Sequence, residues 1–503
     1  MNLLKGKRVL LLVSGGIAIY KSLDLISALK KEGADIFVVM SKKATKFIAP
    51  LTFQAMSGNP VLCKASESFP QISHISYANL ADIALIAPAS VNTIAKLAHG
   101  IADSLIVQTL LACKCEIFIA PSANVNMLDS PQNRANMDLL RQMGYRIIPP
   151  RVSLLACNII ANGAMAEVGE IIFHLKRAFC VESNGDFWRD KNVVITGGGS
   201  VEPIDAIRHI SNDSSGKQAS NLALAFYLLG ANVVLIASKF PLNLPLGVKK
   251  IAVKTSAEFK NAIEAELDSC LTSSLRGSGE ATTKQSKSHE SKKINESMTE
   301  KQINTDSLQV LDSQKARSLP SGLPRLDCVK SRNDDKDSPS LTEGEAHKFS
   351  PSIAEGVRGW VNSTNTKNTI FISAAAISDY IVPQPAQGKL KKEQIGKEWD
   401  LHLIQNDDIL AQISDKFGES CYIVGFKAES AHDLATANAK KMLESKGCDM
   451  VVLNVISESN KIGGERNEVR ILTRESSVEI PQDSKLNISF KIAQNIAKNL
   501  VKK

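Results

Sequence analysis

The chain has 503 residues, 44% of them hydrophobic, a formal net charge of +8 and nine cysteines. At ~150 residues per domain that length suggests about three domains rather than one, each with enough apolar residues for a packed core. The positive charge does not point to nucleic acid, because the lysines are spread out with few aromatics between them, and nine scattered cysteines without a CxxC pair indicate neither a disulfide framework nor a zinc site.

The N-terminal apolar run, within Met1 to Val13, is too short to span a bilayer and carries no cleavage pattern. It reads as a first strand, and the cytoplasm fits best. Arg8 to Val13 ends in Ser14-Gly15-Gly16, and helix-compatible sequence follows from Ile17 to Lys31. Asp35 to Met40, Ile83 to Ala87 and Glu116 to Ala120 are further short apolar runs between helical stretches, which is the pattern of a parallel α/β sheet. Ligands of such sheets bind at the strand C-termini. Ser14-Gly15-Gly16 stands there, where backbone N–H groups and a helix start can hold a phosphate, although a glycine turn after a strand is often only a turn. It is not a GxGxxG fingerprint and no acidic residue follows at the ribose distance, which disfavours a nicotinamide dehydrogenase.

Ala87-Pro88-Ala89-Ser90-Val91-Asn92-Thr93 is a stronger signal: a strand ends, proline turns the chain, and three polar side chains surround a new helix start. A plain helix cap is the simpler reading of the same residues. His74, between Ile72-Ser73 and Ile75, taken alone is a satisfied core histidine. Leu154-Leu155-Ala156-Cys157-Asn158 then leads through Asn162-Gly163-Ala164 into Met165-Ala166-Glu167. Here a cysteine sits in a turn-prone loop whose Gly and Asn permit positive φ. Without company it too reads as a small buried hydrophobe.

In the second half, Lys191 to Thr196 is a strand followed by Gly197-Gly198-Gly199-Ser200. Glu202-Pro203-Ile204-Asp205 leads to the string Arg208-His209-Ile210-Ser211-Asn212-Asp213-Ser214-Ser215-Gly216-Lys217, which enters a helix from Lys217 to Leu229. That entry is either an anion-ready helix start or an ordinary cap. From Ser269 to Ser352 the chain is rich in Ser, Lys, Thr, Glu and Gln with few large apolar residues, and reads as a disordered insertion, a solvated spacer in preference to an interaction tail. Ser373-Ala374-Ala375-Ala376-Ile377-Ser378-Asp379 ends a further strand with small residues that leave room for a nucleotide. Lys389-Leu390-Lys391-Lys392 follows, a cluster that elsewhere is only a solvated face.

Residues 1–180 resemble the homo-oligomeric flavin-containing cysteine decarboxylases, on the Ser-Gly-Gly turn, the Pro-Ala-Ser-Val-Asn-Thr segment with its continuation to Asp103, Pro121-Ser122-Ala123-Asn124, and the Leu-Ala-Cys run. The resemblance implies a flavodoxin-like or Rossmann-like α/β flavoprotein domain. It implies FMN held by Ser14, Gly15, Gly16, Ile17, Ser41, Ser90, Asn92 and Thr93, with Asn124 on the substrate carboxylate. His74 would assist thiol oxidation as base or positioning group, and Cys157 would protonate the product. Loss of CO2 from a cysteine carboxylate leaves an unstabilised carbanion, and flavin provides the electron sink by oxidising the thiol to a thioaldehyde. A thiol of ordinary pKa, ~8.5, carries a proton to donate at neutral pH. Two positions depart from the family: Ala123 stands where methionine is expected and Leu128 replaces a common tryptophan.

Residues 186–503 resemble the phosphopantothenate-cysteine ligases, a second Rossmann-like α/β domain interrupted by the 269–352 insertion. The resemblance rests on the Arg-x-Ile-Ser-Asn-x-Ser-Ser-Gly-Lys string, Ser373 to Asp379, the Lys389 cluster, Asp407-Asp408-Ile409-Leu410 and Gly425-Phe426-Lys427. It implies a CTP pocket from Ser373, Ala374, Ala375, Asp379, Lys389, Asp407, Asp408, Ile409, Leu410, Phe426 and Lys446. Asp379 would hold Mg2+, Lys389 would be the essential cation, and Arg208 and Asn212 would belong to the catalytic set, Asn212 on the acyl-cytidylate. Here the glycine turn replaces Ala-Gly-Pro-Thr, Gln218-Ala219 replaces Met-Gly, and Met442 replaces lysine.

Both motif sets on one chain resemble the bifunctional coenzyme A biosynthesis proteins. Small-molecule substrates are implied, without nucleic acid or membrane, and so are decarboxylase trimers with sites between subunits and ligase dimers. A different class, flavin-binding regulators of the phosphatase-inhibitor type, often lacks part of the catalytic set. His74, Asn124 and Cys157 are all present here with a ligase attached, which favours an enzyme.

Overall fold

Two sheets are built on the same strand order, although no strand is shared between them. The computed structural model describes residues 3–63, 73–154, 158–272, 367–430, 432–457, 460–461 and 463–502. In the first half, strands β1 (Arg8–Val13), β2 (Asp35–Met40), β3 (Val61–Leu62), β4 (Ile83–Ala89), β5 (Glu116–Pro121) and β6 (Arg146–Ile147) form a parallel sheet in the order β3-β2-β1-β4-β5-β6. β1 is flanked on both sides, Val9 pairing with Ile36 and with Ile83. Strands buried on both faces need continuous apolar runs rather than alternation, which is why Val9-Leu10-Leu11-Leu12-Val13 is unbroken.

Successive residues of β1 enter opposite cores. Val9, Leu11 and Val13 pack with Leu25, Ile26 and Leu29 of α1 (Tyr20–Lys31) and Phe53 of α2 (Pro50–Ser57). Leu10 and Leu12 pack with helices on the other face: α4 (Val91–Ala98), α5 (Leu105–Ala112) and α7 (Pro131–Gln142), while α3 (Ser73–Leu80) and the short α6 (Val125–Leu128) complete the half. An antiparallel hairpin of β7 (Arg151–Leu154) and β8 (Ile160–Ala164) follows. The sequence suggests only a turn-prone loop there; Asn158 takes φ 59°, while the flanking residues pair.

Helix α8 (Val168–Asn184) leads to the second half. Its parallel strands β9 (Asn192–Gly197), β12 (Asn232–Ala237), β13 (Val248–Ala252), β14 (Thr369–Ser373), β17 (Cys421–Glu429) and β18 (Met450–Val455) lie in the order β13-β12-β9-β14-β17-β18. Counted along the chain this is again 3-2-1-4-5-6, the doubly wound arrangement with a reversal beside the first strand. β19 (Arg466–Leu472) and β20 (Ser477–Ser484) extend that sheet antiparallel. Two small antiparallel pairs, β10 (Val201–Pro203) with β11 (His209–Ser211) and β15 (Tyr380–Ile381) with β16 (Ile404–Gln405), form separate two-stranded sheets. One face is covered by α9 (Lys217–Leu228) and α14 (Lys485–Lys502), the other by α10 (256–272), α12 (Ile409–Phe417) and α13 (His432–Ser445).

The insertion expected from Ser269 starts later than its composition suggests. Residues 269–272 close helix α10, where Cys270 and Leu271 pack on the Phe259, Ile263 and Leu267 core. The rest of that segment lies outside the described residues.

Close packing of α9 on β9 depends on Gly197, where a Cβ would lie 2.5 Å from the Ala219 Cβ. Gly197→Ala is expected to destabilise the second half by ~1–3 kcal/mol through overpacking. Denaturant unfolding followed by tryptophan fluorescence, with Trp188 buried in the same core, should show an earlier transition.

Candidate functional site

The first site is a cavity of about 800 Å3 at the C-terminal ends of β1, β4 and β5, with the β7–β8 hairpin along one side. This volume suits a small-molecule ligand, for which sites of ~300–1,000 Å3 are typical. Ser14, Gly15, Gly16, Ile17, Ser41, Ser90, Asn92, Thr93 and Asn124 all line it.

Ser14 is the junction. Its hydroxyl donates to the Pro88 carbonyl at 2.7 Å and accepts from the Ser90 N–H at 2.9 Å, so the ends of β1 and β4 are locked together. The Ser90 hydroxyl in turn caps α4, accepting from the Thr93 N–H at 3.4 Å and lying 3.0 Å from the Thr93 hydroxyl. Gly15 is needed for space, since a Cβ there would meet Lys43 Cγ at 2.6 Å. The Ser41 hydroxyl accepts from the Ala44 N–H at 3.0 Å, shaping the turn after β2. Asn124 caps α6 through the Asn126 N–H at 3.0 Å, and the Ala123 N–H donates to Gly163 O at 3.0 Å, tying β5 to the hairpin.

Ala123 is on the wall, so the absence of methionine leaves the cavity wider there; Leu128 is buried beneath it rather than exposed to ligand. His74 is half-buried in the first turn of α3 and is not on this wall. Cys157 lies outside the described residues, between two strands that do line the cavity.

The sequence reading missed a set of cations. Lys21, Lys42, Lys43, Lys96 and Arg151 reach the same wall, with Lys96 paired to Asp103 at 2.5 Å and Arg151 to Glu167 at 2.6 Å. Burial, followed by the Arg151 charge, holds the Lys21 ammonium below the ordinary lysine pKa. The only sequence signal is that Lys42 and Lys43 fall just after β2 and Lys21 in the first turn of the helix that follows β1.

The second constellation lies at the corresponding reversal, between β9 and β14. Gly198 has φ 79°, and a Cβ on it would sit 2.3 Å from the Ser238 hydroxyl; at Gly199 a Cβ would sit 2.8 Å from Asn212 O. This run therefore admits close neighbours that Ala-Gly-Pro-Thr would have to accommodate differently. The Thr196 hydroxyl accepts from both the Ala374 and Ala375 N–H groups at 3.2 Å, and the Ser378 N–H donates to the Ser200 hydroxyl at 3.0 Å. Asn212 donates to the Ala376 and Ile377 carbonyls at 3.1 and 3.2 Å. Ser373, at the end of β14, pairs with Gly425, which brings half-buried Phe426 to the same edge.

Asp408 caps α12 through the Ala411 N–H at 3.1 Å and pairs with Lys446 at 2.9 Å; Asp407 lies 4.0 Å from Lys260. Ile409 and Leu410 are buried, so their side chains serve the core. Met442 is buried too, its Cε filling the space over Gly425. Asp379 and Lys389 are exposed, and among the described residues no group of three or more His, Cys, Asp or Glu forms a metal cluster. Arg208 pairs with Asp205 at 2.6 Å, donates to Leu390 O at 2.7 Å and lies 4.7 Å from the Trp399 ring centre. The backbone N–H of Arg208, then that of Ile207, hold the Asp205 carboxyl well below the usual range.

Residues 2–179 match the family model described as Flavoprotein, and residues 188–317 and 348–500 match the DNA/pantothenate metabolism flavoprotein C-terminal domain. The coenzyme A biosynthesis bifunctional protein CoaBC of Bacillus subtilis is 38% identical over 98% of both chains. The chain belongs to the bifunctional coenzyme A biosynthesis family. It is a coenzyme A biosynthesis enzyme with decarboxylase and ligase activities, its first half a flavoprotein domain, and a purely regulatory role is not favoured. The CoaBC protein of Vibrio vulnificus is 28% identical over 99% of this chain and 98% of its own. A solved PPC decarboxylase mutant, complexed with pantothenoylaminoethenethiol, is 29% identical over 35% of this chain and 98% of its own, with TM-score 0.31. No helix among the described residues is long and apolar enough to cross a membrane.

Ser14→Ala removes both side-chain bonds that tie the end of β1 to the Pro88–Ser90 segment, leaving the β1–β4 ladder in place. Flavin retention is expected to fall about 10- to 100-fold, equivalent to ~1–3 kcal/mol, with circular dichroism unchanged. The flavin-to-protein absorbance ratio after dialysis checks this.

Proposed function

We propose that residues 186–503 form a ligase domain that joins 4'-phosphopantothenate to L-cysteine at the cost of CTP, and that residues 1–180 decarboxylate the product to 4'-phosphopantetheine with FMN. The insertion in the ligase domain begins after α10 and runs to about residue 352. The observation that carries this reading is the pair of order reversals on one chain, each surrounded by the polar and small residues that its chemistry needs.

The first cavity suits FMN. Gly15 gives the backbone room against Lys43, and the capped start of α4 with the Ser14–Ser90 junction suits a phosphate. Ser14 to Ile17, Ser41, Ser90, Asn92 and Thr93 would hold the cofactor, which supplies the two-electron oxidation of the substrate thiol and its later reversal. The cationic wall, Lys21 and Arg151 included, balances the charge of a phosphorylated substrate. Asn124 holds the substrate carboxylate. His74 assists removal of the thiol proton, and the Cys157 Sγ proton goes to the product.

In the ligase half, a carboxylate oxygen of 4'-phosphopantothenate attacks the α-phosphorus of CTP and pyrophosphate leaves; the cysteine amine then displaces CMP from the acyl-cytidylate. Small residues Ser373 to Ala375 leave room for the nucleotide, with Phe426 by the base and the Asp407–Leu410 segment and Lys446 at its edge. Lys389 meets the phosphate charge, Asn212 hydrogen-bonds the acyl group, and Arg208 completes the set. Asp379 would help to hold Mg2+, which commonly takes one or two carboxylates together with substrate phosphates and would offset the phosphate charge. The cytoplasm suits these substrates.

Purified protein given 4'-phosphopantothenate, cysteine, CTP and Mg2+ is expected to release both pyrophosphate and CO2. Cys157→Ser should still release pyrophosphate but fail to complete 4'-phosphopantetheine. Neither product from folded, flavin-loaded protein would sink this reading.

Assembly into decarboxylase trimers, with ligase dimers beyond, is the second part of the proposal. Val152, Leu154 and Ile160 on the hairpin are 64–74% exposed, and His74 is absent from its own chain's cavity wall, as sites completed by a neighbouring subunit require. Light scattering is expected to give a mass at least three times that of one chain; a monomer would exclude it.

A further inference from the structure

The turn between β10 and β11 closes around Asp205, whose side chain is completely buried. Its carboxylate accepts from the Ile207 N–H at 2.8 Å, the Arg208 N–H at 2.7 Å and Arg208 Nε at 2.9 Å. A further donor comes from far along the chain, the Leu390 N–H at 3.3 Å. Arg208 Nη2 donates to Leu390 O at 2.7 Å, so the same acid–guanidinium pair holds both polar main-chain atoms of one residue. The Ala386 N–H donates to Ile204 O at 3.0 Å, and Trp399 lies against Arg208, adding two ties between the turn and the same segment. That segment, from Val382 to Leu403, contains one four-residue helix and no strand among the described residues, so it has little regular structure of its own to hold it. Lys389 is the neighbour of the gripped residue and its side chain is exposed.

We propose that Asp205 is a positioning residue of the ligase: together with Arg208 it fixes the main chain at Leu390 and thereby holds Lys389 where the nucleotide phosphates bind. The inference rests on the role given above to Lys389. Asp205 touches no substrate, because it is buried and its oxygens are occupied by protein donors. Its effect passes through the peptide that Lys389 shares with Leu390. Fixing that peptide restricts where a long lysine stem can reach, and a misplacement of ~1 Å can cost about 10²-fold in rate.

The test uses the full chain. Asp205→Asn and Lys389→Gln, alone and combined, are assayed for pyrophosphate release at varied CTP. CO2 release from directly supplied 4'-phosphopantothenoylcysteine reports that each variant is folded. Asp205→Asn is expected to lower ligase kcat about 10²-fold, to leave CO2 release within about twofold, and to speed tryptic cleavage after Lys389. The double variant should be no slower than Lys389→Gln alone, since both changes remove one interaction. Leu390→Pro, which deletes the N–H that Asp205 accepts from, should reproduce the kcat loss with Asp205 intact. Multiplying losses in the double variant, or a kcat loss with unaltered cleavage at Lys389, would overturn the proposal. Full ligase activity of Lys389→Gln would remove its foundation while leaving the ligase reading itself intact; wild-type protein that releases no pyrophosphate would instead defeat that reading.

Discussion

One helix belongs to two cores. Ile171, Ile172, Leu175 and Phe179 of α8 are buried with the first sheet, while Cys180 is buried with the second. Polar contacts of α8 reach both halves: Lys176 donates to Glu32 of the first at 2.7 Å, while Arg177 donates to Gly230 O at 2.7 Å and lies 4.4 Å from the Tyr227 ring centre, and Glu170 accepts from the Leu246 N–H at 3.0 Å. Fully burying a large apolar side chain contributes ~1.5–3 kcal/mol, so neither half could give up this helix without exposing a core. Burial also pushes the Cys180 thiol up to about 12, which leaves it a packing residue with no nucleophilic role at neutral pH. The consequence for function is that two activities on one chain are mounted on a shared rigid element rather than on a free linker.

A second constraint is topological. In a doubly wound sheet the crossovers on either side of the first strand turn away from each other, leaving a crevice that no loop fills. Both halves place their glycine turns there, Ser14-Gly15-Gly16 after β1 and Gly197-Gly198-Gly199 after β9. The two crevices are then furnished differently. The first gathers five cationic side chains on a cavity wall, whereas the second presents main-chain groups of small residues with the acid-rich Asp407-Asp408 turn nearby. A shared scaffold therefore carries distinct chemistry through what stands after the strands.

What could be read in the sequence follows the same division. The parallel strands were legible because burial on both faces demands unbroken apolar runs such as Val9–Val13 and Val193–Ile195. The polar residues at strand ends were legible because they punctuate those runs: Ser14, Ser90, Asn92, Thr93 and Asn124 all meet in one cavity. Pairing between distant segments left no local signal. Lys42 and Arg151 look like any solvated cation until β2 and β7 bring them to the same wall, and Asp205 looks like a turn residue until Leu390 arrives. The last turn of α10 is not legible because low-complexity sequence follows it directly, although Leu271 faces a core. The β7–β8 hairpin was hidden by its Gly and Asn content, which suggested a loop.

Both sites also place a small buried polar side chain at the base, bound to main chain from a distant segment. Ser14 joins β1 to the end of β4, Thr196 joins β9 to the N–H groups after β14, and Asp205 joins a hairpin turn to the Lys389 segment. Burying an unsatisfied hydroxyl or carboxylate is unfavourable, by ~1–3 kcal/mol for a neutral group and more for a charge, so these positions require their distant partners to be in place. The dependence runs the other way too. A strand end or an irregular segment has few hydrogen bonds of its own, and a buried acceptor gives it one defined position. The Ala374 and Ala375 main chain and the segment that carries the exposed Lys389 side chain inherit that position. The departures from the family tolerated here, Ala123 on a wall and Met442 over Gly425, leave all three of these junctions untouched.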